Sequence, residues 1–325
     1  MSTLPNLLAS LMEPFGYAFM QRALLSCALI GFTNGFLGTF IILRRQALLA
    51  DALSHSLLPG LAVAAMLVGL SPAGLLLGGL VAALLVALGG QVVARNSRLK
   101  DETAVASLYI IAFAVGIVLI RFARVKVDLT HFLFGNILGV GDGDLWIAYT
   151  AAFLTLVTLS VFQRPLLLTL FDAAVARSLG IRTGLLETVL LALTVLGLVA
   201  SLQAVGVLLS LGLLILPAAT AYLLTDSFPR MLWGGAVLGM ASAVGGLLLS
   251  FHANIASGPC IVMLLAVLLG AAFLFSPRYG ILPGLWRGRH LHEESLERWA
   301  GHQGHDHQLT PEHGAKEHGG KHGES

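Results

Sequence analysis

The sequence predicts an all-α, polytopic membrane protein with about eight or nine transmembrane helices. Its 325 residues are 57% hydrophobic and only 11% charged, whereas soluble domains carry about 25% charged residues. Apolar runs of about 20 residues, the length that crosses a bilayer, recur along most of the chain. The net charge is only +2, so we expect no strongly basic surface and no nucleic-acid partner.

The apolar runs divide the chain into nine predicted spans. The run over 185–224 is too long for one crossing, so we divide it near Ser201. Counts of eight or ten crossings remain open. The predicted spans are 19–43, 48–70, 73–94, 103–120, 145–163, 185–203, 205–224, 231–250 and 258–276.

Three regions follow from these spans: a surface segment at 1–18, a transmembrane domain at 19–276 and a polar tail at 277–325. The tail is rich in glycine and histidine and cannot bury enough apolar surface to fold alone. Segment 128–139 is too short to span, so we expect a re-entrant or interfacial helix there.

Basic loops place the N-terminus outside and the tail in the cytoplasm. The loops used are those with Arg95 and Arg98, with Arg177 and Arg182, and with Arg287 and Arg289.

Two ionisable side chains, Asp51 and His55, lie four residues apart inside the second span. Charged groups in hydrocarbon are costly, so each marks a functional site by default. This spacing places both on one helix face. A rise of about 1.5 Å per residue from Arg45 puts His55 about 15 Å deep, near the bilayer centre. Carboxylate oxygen and imidazole nitrogen suit Mn²⁺, Fe²⁺ or Zn²⁺, although a hydrogen bond between neighbouring helices explains the pair equally well.

Prolines are expected to interrupt two spans. Pro59 has no N–H group and leaves the carbonyl of His55 without its helical partner, which would add an oxygen donor at the same depth. Pro217 bends the seventh span and has small neighbours, which indicates either a pore-lining broken helix or close helix packing. Small residues also recur in the first span, where we expect packing: Gly31, Gly35 and Gly38.

A short helix is predicted over 172–180. Asp172 is suited to the N-cap and Gly180 to the C′ position, while Arg177 near the C-terminal end interacts favourably with the helix dipole. About two turns cannot span a membrane, so the helix lies in a cytoplasmic loop. It is either an ordinary interfacial helix, which this segment alone favours, or a helix that docks on a partner protein.

A histidine-rich segment follows the last span. Such tracts bind transition metals, and a disordered tail would bind them loosely; a dispensable polar tail is a nearly equal interpretation. The sequence contains no P-loop motif, so we predict a transport subunit without an ATPase site of its own. The histidines considered for weak metal binding are His290, His292, His302, His305 and His307.

Several motifs, in order, resemble the permease subunits of bacterial ABC importers for zinc, manganese and iron. The resemblance covers the chain from about Phe19 to Phe275. Its most specific part is Gly38-Thr39-Phe40, Leu43-Arg44-Arg45, Asp51-Ala52-Leu53-Ser54-His55 and Pro59-Gly60. Further matches are Leu133-Phe134-Gly135, Ala176-Arg177-Ser178-Leu179-Gly180, Gly206-Val207-Leu208-Leu209, Leu216-Pro217-Ala218-Ala219-Thr220-Ala221 and Ser257-Gly258-Pro259.

The resemblance implies a permease fold similar to that of vitamin B12 and siderophore importers, in a bacterial plasma (inner) membrane. It implies a second permease chain, identical or different, two cytoplasmic ATP-binding subunits and an extracytoplasmic metal-binding protein. It also implies that Asp51 and His55 coordinate the cation. The helix over 172–180, with Asp172, Ala176, Arg177, Leu179 and Gly180, would be the coupling helix.

We therefore predict import of a divalent transition metal, with no permanently bound cofactor and with ATP hydrolysed by a partner. Manganese and zinc are equally favoured, with iron third. The alternative is a proton-coupled secondary metal transporter in which Asp51 and His55 relay protons. A metal-sensing membrane scaffold that uses only the tail is a third class.

Overall fold

The computed structural model describes residues 13–69, 71–122, 135, 137–276 and 280, and every regular element in this part of the chain is helical. Nine helical segments among these residues are long and apolar enough to cross a membrane. The predicted all-α architecture is therefore confirmed. Residues 1–12 and 281–325 lie outside the described residues, so the surface segment and the tail stay predictions. Of segment 128–139, only Gly135 and a 3-10 turn at Ile137–Gly139 are described.

Eleven helices are described, and a 3-10 turn at Glu13–Gly16 precedes them. Helices α2 and α3 together form the second span, Ala47–Val68. The helices are α1 Ala18–Leu43, α2 Ala47–His55, α3 Leu58–Val68, α4 Pro72–Asn96, α5 Asp101–Phe122, α6 Asp142–Phe171, α7 Ala173–Ser178, α8 Thr183–Leu202, α9 Ala204–Leu224, α10 Phe228–Ala253 and α11 Ser257–Phe275.

Helix α1 lies at the centre of the bundle and packs closely on α10. A Cβ atom at Gly35 would collide with the carbonyl oxygen of Gly235, and one at Gly31 with that of Gly239. Because neither helix has a side chain at these points, the two backbones touch directly, as in small-residue membrane interfaces. The predicted packing role of the first-span glycines is confirmed.

The long run over 185–224 folds back on itself between α8 and α9. The hydroxyls of Ser201 and Ser210 are hydrogen-bonded, and the Ser210 hydroxyl also reaches the carbonyl of Leu198 at 3.4 Å. In one straight helix residues 198 and 210 would be about 18 Å apart. Gly206, with φ 79°, supplies the left-handed backbone that the turn requires. The predicted division near Ser201 is confirmed.

The second span is broken immediately before Pro59, as predicted. Helix α2 ends at His55, and Pro59 lies in the first turn of α3. The hydroxyl of Ser56 donates to the carbonyl of Leu53 at 2.7 Å. Gly116 of α5 covers the break, since a Cβ atom there would lie 2.8 Å from the backbone nitrogen of Pro59. Broken backbone at membrane depth is tolerated because it is packed against protein in this way.

Candidate metal site and coupling helix

Asp51 and His55 lie together on one face of α2, as the spacing predicts. The Oδ1 atom of Asp51 is 3.8 Å from the Nε2 atom of His55. The ring of Phe113, on α5, meets the imidazole edge-on, with 5.8 Å between ring centroids. The hydroxyl of Ser54 donates to the backbone carbonyl of Asp51 at 2.7 Å. One oxygen and one nitrogen donor are therefore held close enough to approach the same ion.

The site is open on the side that faces away from the helix bundle. The Asp51 side chain is 53% exposed and that of His55 is 36% exposed. Leu48, on the same face, is also exposed. A carboxylate in a transmembrane span does not face hydrocarbon, because charged groups in membranes line water-filled cavities or pair inside the protein. This face of α2 therefore lines an aqueous path or an interface.

A cleft of about 390 Å³ separates the start of α2 from the start of α5, and Asp51 forms part of its wall. The opposite wall carries Glu102, Thr103 and Tyr109. The sequence analysis missed these three residues, although an acidic residue in the first turn of a span is a recognisable signal. A second carboxylate beside Asp51 makes the cleft attractive to a cation.

Asp51 and His55 do not complete a coordination shell. Among the residues that the structure describes, no group of three or more His, Cys, Asp or Glu side chains is arranged to hold one metal ion. Zinc in protein sites is almost always four-coordinate and manganese prefers six ligands. Any metal here needs further ligands from backbone, water or a second chain.

Helix α7 has the capping predicted from its sequence. The Oδ1 atom of Asp172 accepts hydrogen bonds from the backbone N–H groups of Ala174 and Val175, at 3.0 and 2.9 Å. Gly180 has φ 78°, and its N–H and that of Ile181 donate to carbonyls of the last turn, as in a Schellman motif. A two-turn helix is therefore firmly bounded at both ends.

One side of α7 is anchored and the other is free. Ala176 is fully buried, whereas Val175 and Leu179 are 44% and 67% exposed. Arg177 is exposed as well. The free side combines apolar surface with a positive charge, which is a suitable surface for contact with another protein.

Of two other predicted sites, only Pro217 lies among the described residues, and it does not line the Asp51 cleft. Pro217 is buried inside α9 and lies beside Gly239, whose added Cβ atom would be 3.4 Å from the proline ring. The histidines of the tail, from His290 onward, lie outside the described residues.

The nine apolar helices found among the described residues, together with the half-exposed polar site, indicate a polytopic membrane transport protein. A family model described as the ABC 3 transport family matches residues 16–276. The chain belongs to this family. The resemblance to permease subunits of metal ABC importers, drawn from the sequence motifs, is confirmed.

Curated relatives agree with this assignment. The chain is 41% identical over 280 residues to the manganese transport system membrane protein MntC of Halalkalibacterium halodurans, a match that covers 86% of this chain and 94% of the relative. It is 33% identical over 298 residues to the chelated iron transport system membrane protein YfeC of Yersinia pestis, covering 89% of this chain and all of the relative.

Solved structures share the fold. PsaBC from Streptococcus pneumoniae, in complex with Fab, matches with a TM-score of 0.74 and 34% identity, over 84% of this chain and 97% of that one. A metal-chelate type ABC transporter in an inward-facing conformation matches with a TM-score of 0.62 over 78% of this chain and 85% of that one. At 15% identity the second likeness supports the fold alone.

Proposed function

We propose that this chain forms the transmembrane path for Mn²⁺ in an ATP-driven importer, and that Asp51 and His55 bind the ion during its passage. One observation carries the proposal: a carboxylate and an imidazole lie 3.8 Å apart on a half-exposed face inside a membrane span. Such a face suits a hydrated cation and does not suit lipid.

The donor chemistry and the relatives support manganese as the cargo. A carboxylate oxygen, water and imidazole nitrogen suit Mn²⁺, Fe²⁺ and Zn²⁺ alike, so the donors allow manganese and the relatives decide the order. The curated relatives described above are named for manganese and for chelated iron. We therefore place manganese first and iron second, and zinc, which the sequence analysis favoured equally with manganese, third. An ion in transit is bound only moderately, because release must stay fast.

A second permease chain would complete the site. Asp51 and His55 supply only two donors, and both are open on the side away from the helix bundle. A second chain that apposes the same face would double the donors and would shield the carboxylate from lipid. The path would then run between two chains, each contributing one α2 helix.

Energy would come from two ATP-binding subunits on the cytoplasmic side. The exposed side of α7, with Val175, Arg177 and Leu179, is the surface that we propose for docking. Because α7 is capped at both ends, it can transmit a displacement without unravelling. An extracytoplasmic metal-binding protein would deliver the ion on the opposite side of the bacterial plasma membrane.

Uptake of radioactive manganese tests the proposal directly. The complete transporter is expressed in a cell that lacks its own manganese importers, with Asp51→Ala, His55→Ala and the control Leu48→Ala, which changes the same helix face without removing a donor. Each donor variant should lower uptake by at least the roughly 10- to 100-fold that loss of an outer-shell partner costs, while the control keeps it. Normal uptake by both donor variants would contradict the site.

The same assay separates an ATP-driven importer from a proton-coupled one. Uptake should stop when the ATPase subunits are inactivated and should persist when the proton gradient is collapsed but ATP is maintained. The reverse pattern would support the proton-coupled alternative.

A further inference from the structure

An ion pair joins the end of the first membrane span, α1, to the start of the sixth, α8. The Nη2 atom of Arg44, at the end of α1, lies 2.9 Å from the Oε1 atom of Glu187 in α8. The Arg44 side chain is only 16% exposed and that of Glu187 is 33% exposed. A pair shielded to this degree is less screened by solvent than a surface pair, and removal of one partner leaves a charge poorly compensated.

On the α1 side, Arg44 lies directly before the turn that leads into the helix carrying Asp51. The N–H of Arg45 donates to the carbonyl of Ile42 and that of Gln46 to the carbonyl of Ile41, both at 3.0 Å, which is the hydrogen-bond pattern of a Schellman turn. Arg45 adopts φ 57° without being glycine, so the turn is held against a conformational cost. Helix α2 starts immediately afterwards at Ala47. Only Arg45 and Gln46 separate Arg44 from the first residue of α2. A displacement of Arg44 would therefore displace the helix that carries Asp51.

On the α8 side, Glu187 is tied to the coupling helix. The N–H of Ile181 donates to the carbonyl of Ala176 at 3.0 Å, and the N–H of Thr183 donates to the carbonyl of Ile181 at 2.9 Å. Ala176 is fully buried, so the inner side of α7 is fixed. Glu187 lies about one turn beyond Thr183, where α8 begins.

A hydrogen bond and a close packing contact hold the same turns of α8 against α4. The hydroxyl of Thr188 donates to the Oε1 atom of Gln91 at 3.0 Å. The guanidinium of Arg95 lies against Gly184, where an added Cβ atom would be 2.9 Å from its Nη2 atom. The start of α8 is thus anchored by polar groups from both α1 and α4, whereas most helix contacts in the bundle are apolar.

We infer that the Arg44–Glu187 pair transmits movement of the coupling helix to the Asp51–His55 site. This inference rests on the proposed function. Displacement of α7 by the ATPase subunits would shift the first turns of α8, and the ion pair would carry that shift into the α1–α2 turn and so to Asp51. Rigid helices joined by a specific charge contact are a physical route for coupling between distant sites. Arg44 and Glu187 are positioning residues in this scheme and touch no metal.

The test measures coupling and does not rely on transport alone. The complete transporter is purified with Arg44→Gln, Glu187→Gln, Arg44→Glu, Glu187→Arg and the double reversal. Each purified transporter is reconstituted into lipid vesicles, and ATP hydrolysis and Mn²⁺ uptake are measured on the same vesicles. A matched control is Asp142→Asn, which removes a second ion pair. In that pair the Nε atom of Arg22 lies 3.0 Å from the Oδ1 atom of Asp142, and neither residue belongs to the proposed coupling route.

The single variants should assemble and hydrolyse ATP, but the Mn²⁺ transported per ATP should fall by about 5- to 150-fold, the usual range of coupling between sites. The double reversal should regain part of the ratio lost in each single reversal. Regain will be incomplete, because an arginine at 187 would lie one turn from Gly184, where Arg95 is packed. Asp142→Asn should keep the wild-type ratio.

Several results would overturn the inference. A wild-type ratio in Glu187→Gln, a parallel fall of uptake and ATP hydrolysis, or no regain in the double reversal would each assign the pair to fold stability alone. If Glu187→Gln does not assemble, Glu187→Asp is measured instead, because it keeps the charge on a shorter side chain. An unchanged ratio of Mn²⁺ transported per ATP in Glu187→Asp would equally overturn the inference. Asp51→Ala in the same assay separates the two proposals, because normal transport there would remove the metal site itself.

Discussion

The helix pair α1–α10 and the helix pair α2–α5 differ in how closely the two helices pack. Between α1 and α10, paired glycines bring the two backbones into contact, and nothing larger fits at Gly31 or Gly35. Between α2 and α5, a cleft of about 390 Å³ separates the helices, and its wall carries Asp51 and Glu102. Close packing tolerates little movement, whereas an open cleft lined by charge can admit an ion. The first contact therefore serves as scaffold, and the second is the face that we propose for passage of the ion.

The largest expected effect is on the scaffold. Gly35→Leu places a side chain where Gly235 backbone already lies, and overpacking of this kind costs about 1–3 kcal/mol or more. We expect no monodisperse protein after purification. Gly270→Leu is the matched control, because nothing lies within 4 Å of a Cβ atom there, and it should purify normally. Equal behaviour of the two variants would refute the distinction between scaffold and open surface.

The coupling surface should be the next most sensitive. Leu179→Asp puts a charge on the exposed side of α7, where Leu179 is 67% exposed. If this surface docks on the ATPase subunit, loss of an apolar anchor costs about 2 kcal/mol, or about 30-fold in affinity. Co-purification of the ATPase measures the effect, and Leu179→Met should retain binding. Full retention by the aspartate variant would place the docking surface elsewhere.

A smaller effect is expected within the cleft. Glu102→Gln removes a carboxylate from the wall opposite Asp51 and keeps the shape. Because the group is exposed, uptake at low Mn²⁺ should fall by a factor of about two to five, the size of a screened interaction of up to ~1 kcal/mol. Glu13→Gln, an exposed acid away from the cleft, is the control. Identical uptake curves for both variants would mean that Glu102 does not attract the ion.

The smallest effect is expected from the tail. Removal of residues 287–325, including His290 and His292, should leave uptake intact, because histidines that bind metal only loosely add no ligand to the path. Uptake over a range of Mn²⁺ concentrations measures this. Loss of transport on removal would give the tail an essential role. It would favour the third class considered from the sequence, a metal-sensing membrane scaffold that uses only the tail.

Local sequence signals predicted the elements of both regions well. Length and hydropathy located the spans, because a bilayer imposes a fixed apolar length. Asp172 and Gly180 were recognisable as caps, since their hydrogen bonds reach only neighbouring residues. The break before Pro59 followed from the missing N–H group alone.

Contacts between distant segments were not predictable in the same way. Nothing near Glu187 in the sequence indicates Arg44 as its partner, and nothing near Gly116 indicates that it covers Pro59. The division near Ser201 followed from length, but nothing in the apolar run indicated Gly206 as the residue that makes the turn. These features depend on how helices pack, which hydropathy does not encode. Glu102 lines the same cleft as Asp51 for the same reason.

Electron spin echo envelope modulation detects nitrogen ligands of Mn²⁺ and tests the central claim most directly. The measurement is made on Mn²⁺ bound to the complete, nucleotide-free transporter. The account predicts imidazole nitrogen modulation in the wild-type protein, its loss in His55→Ala, and its retention in Leu48→Ala. Nitrogen modulation that persists in His55→Ala would contradict the assignment of His55, and with it the ion path along α2.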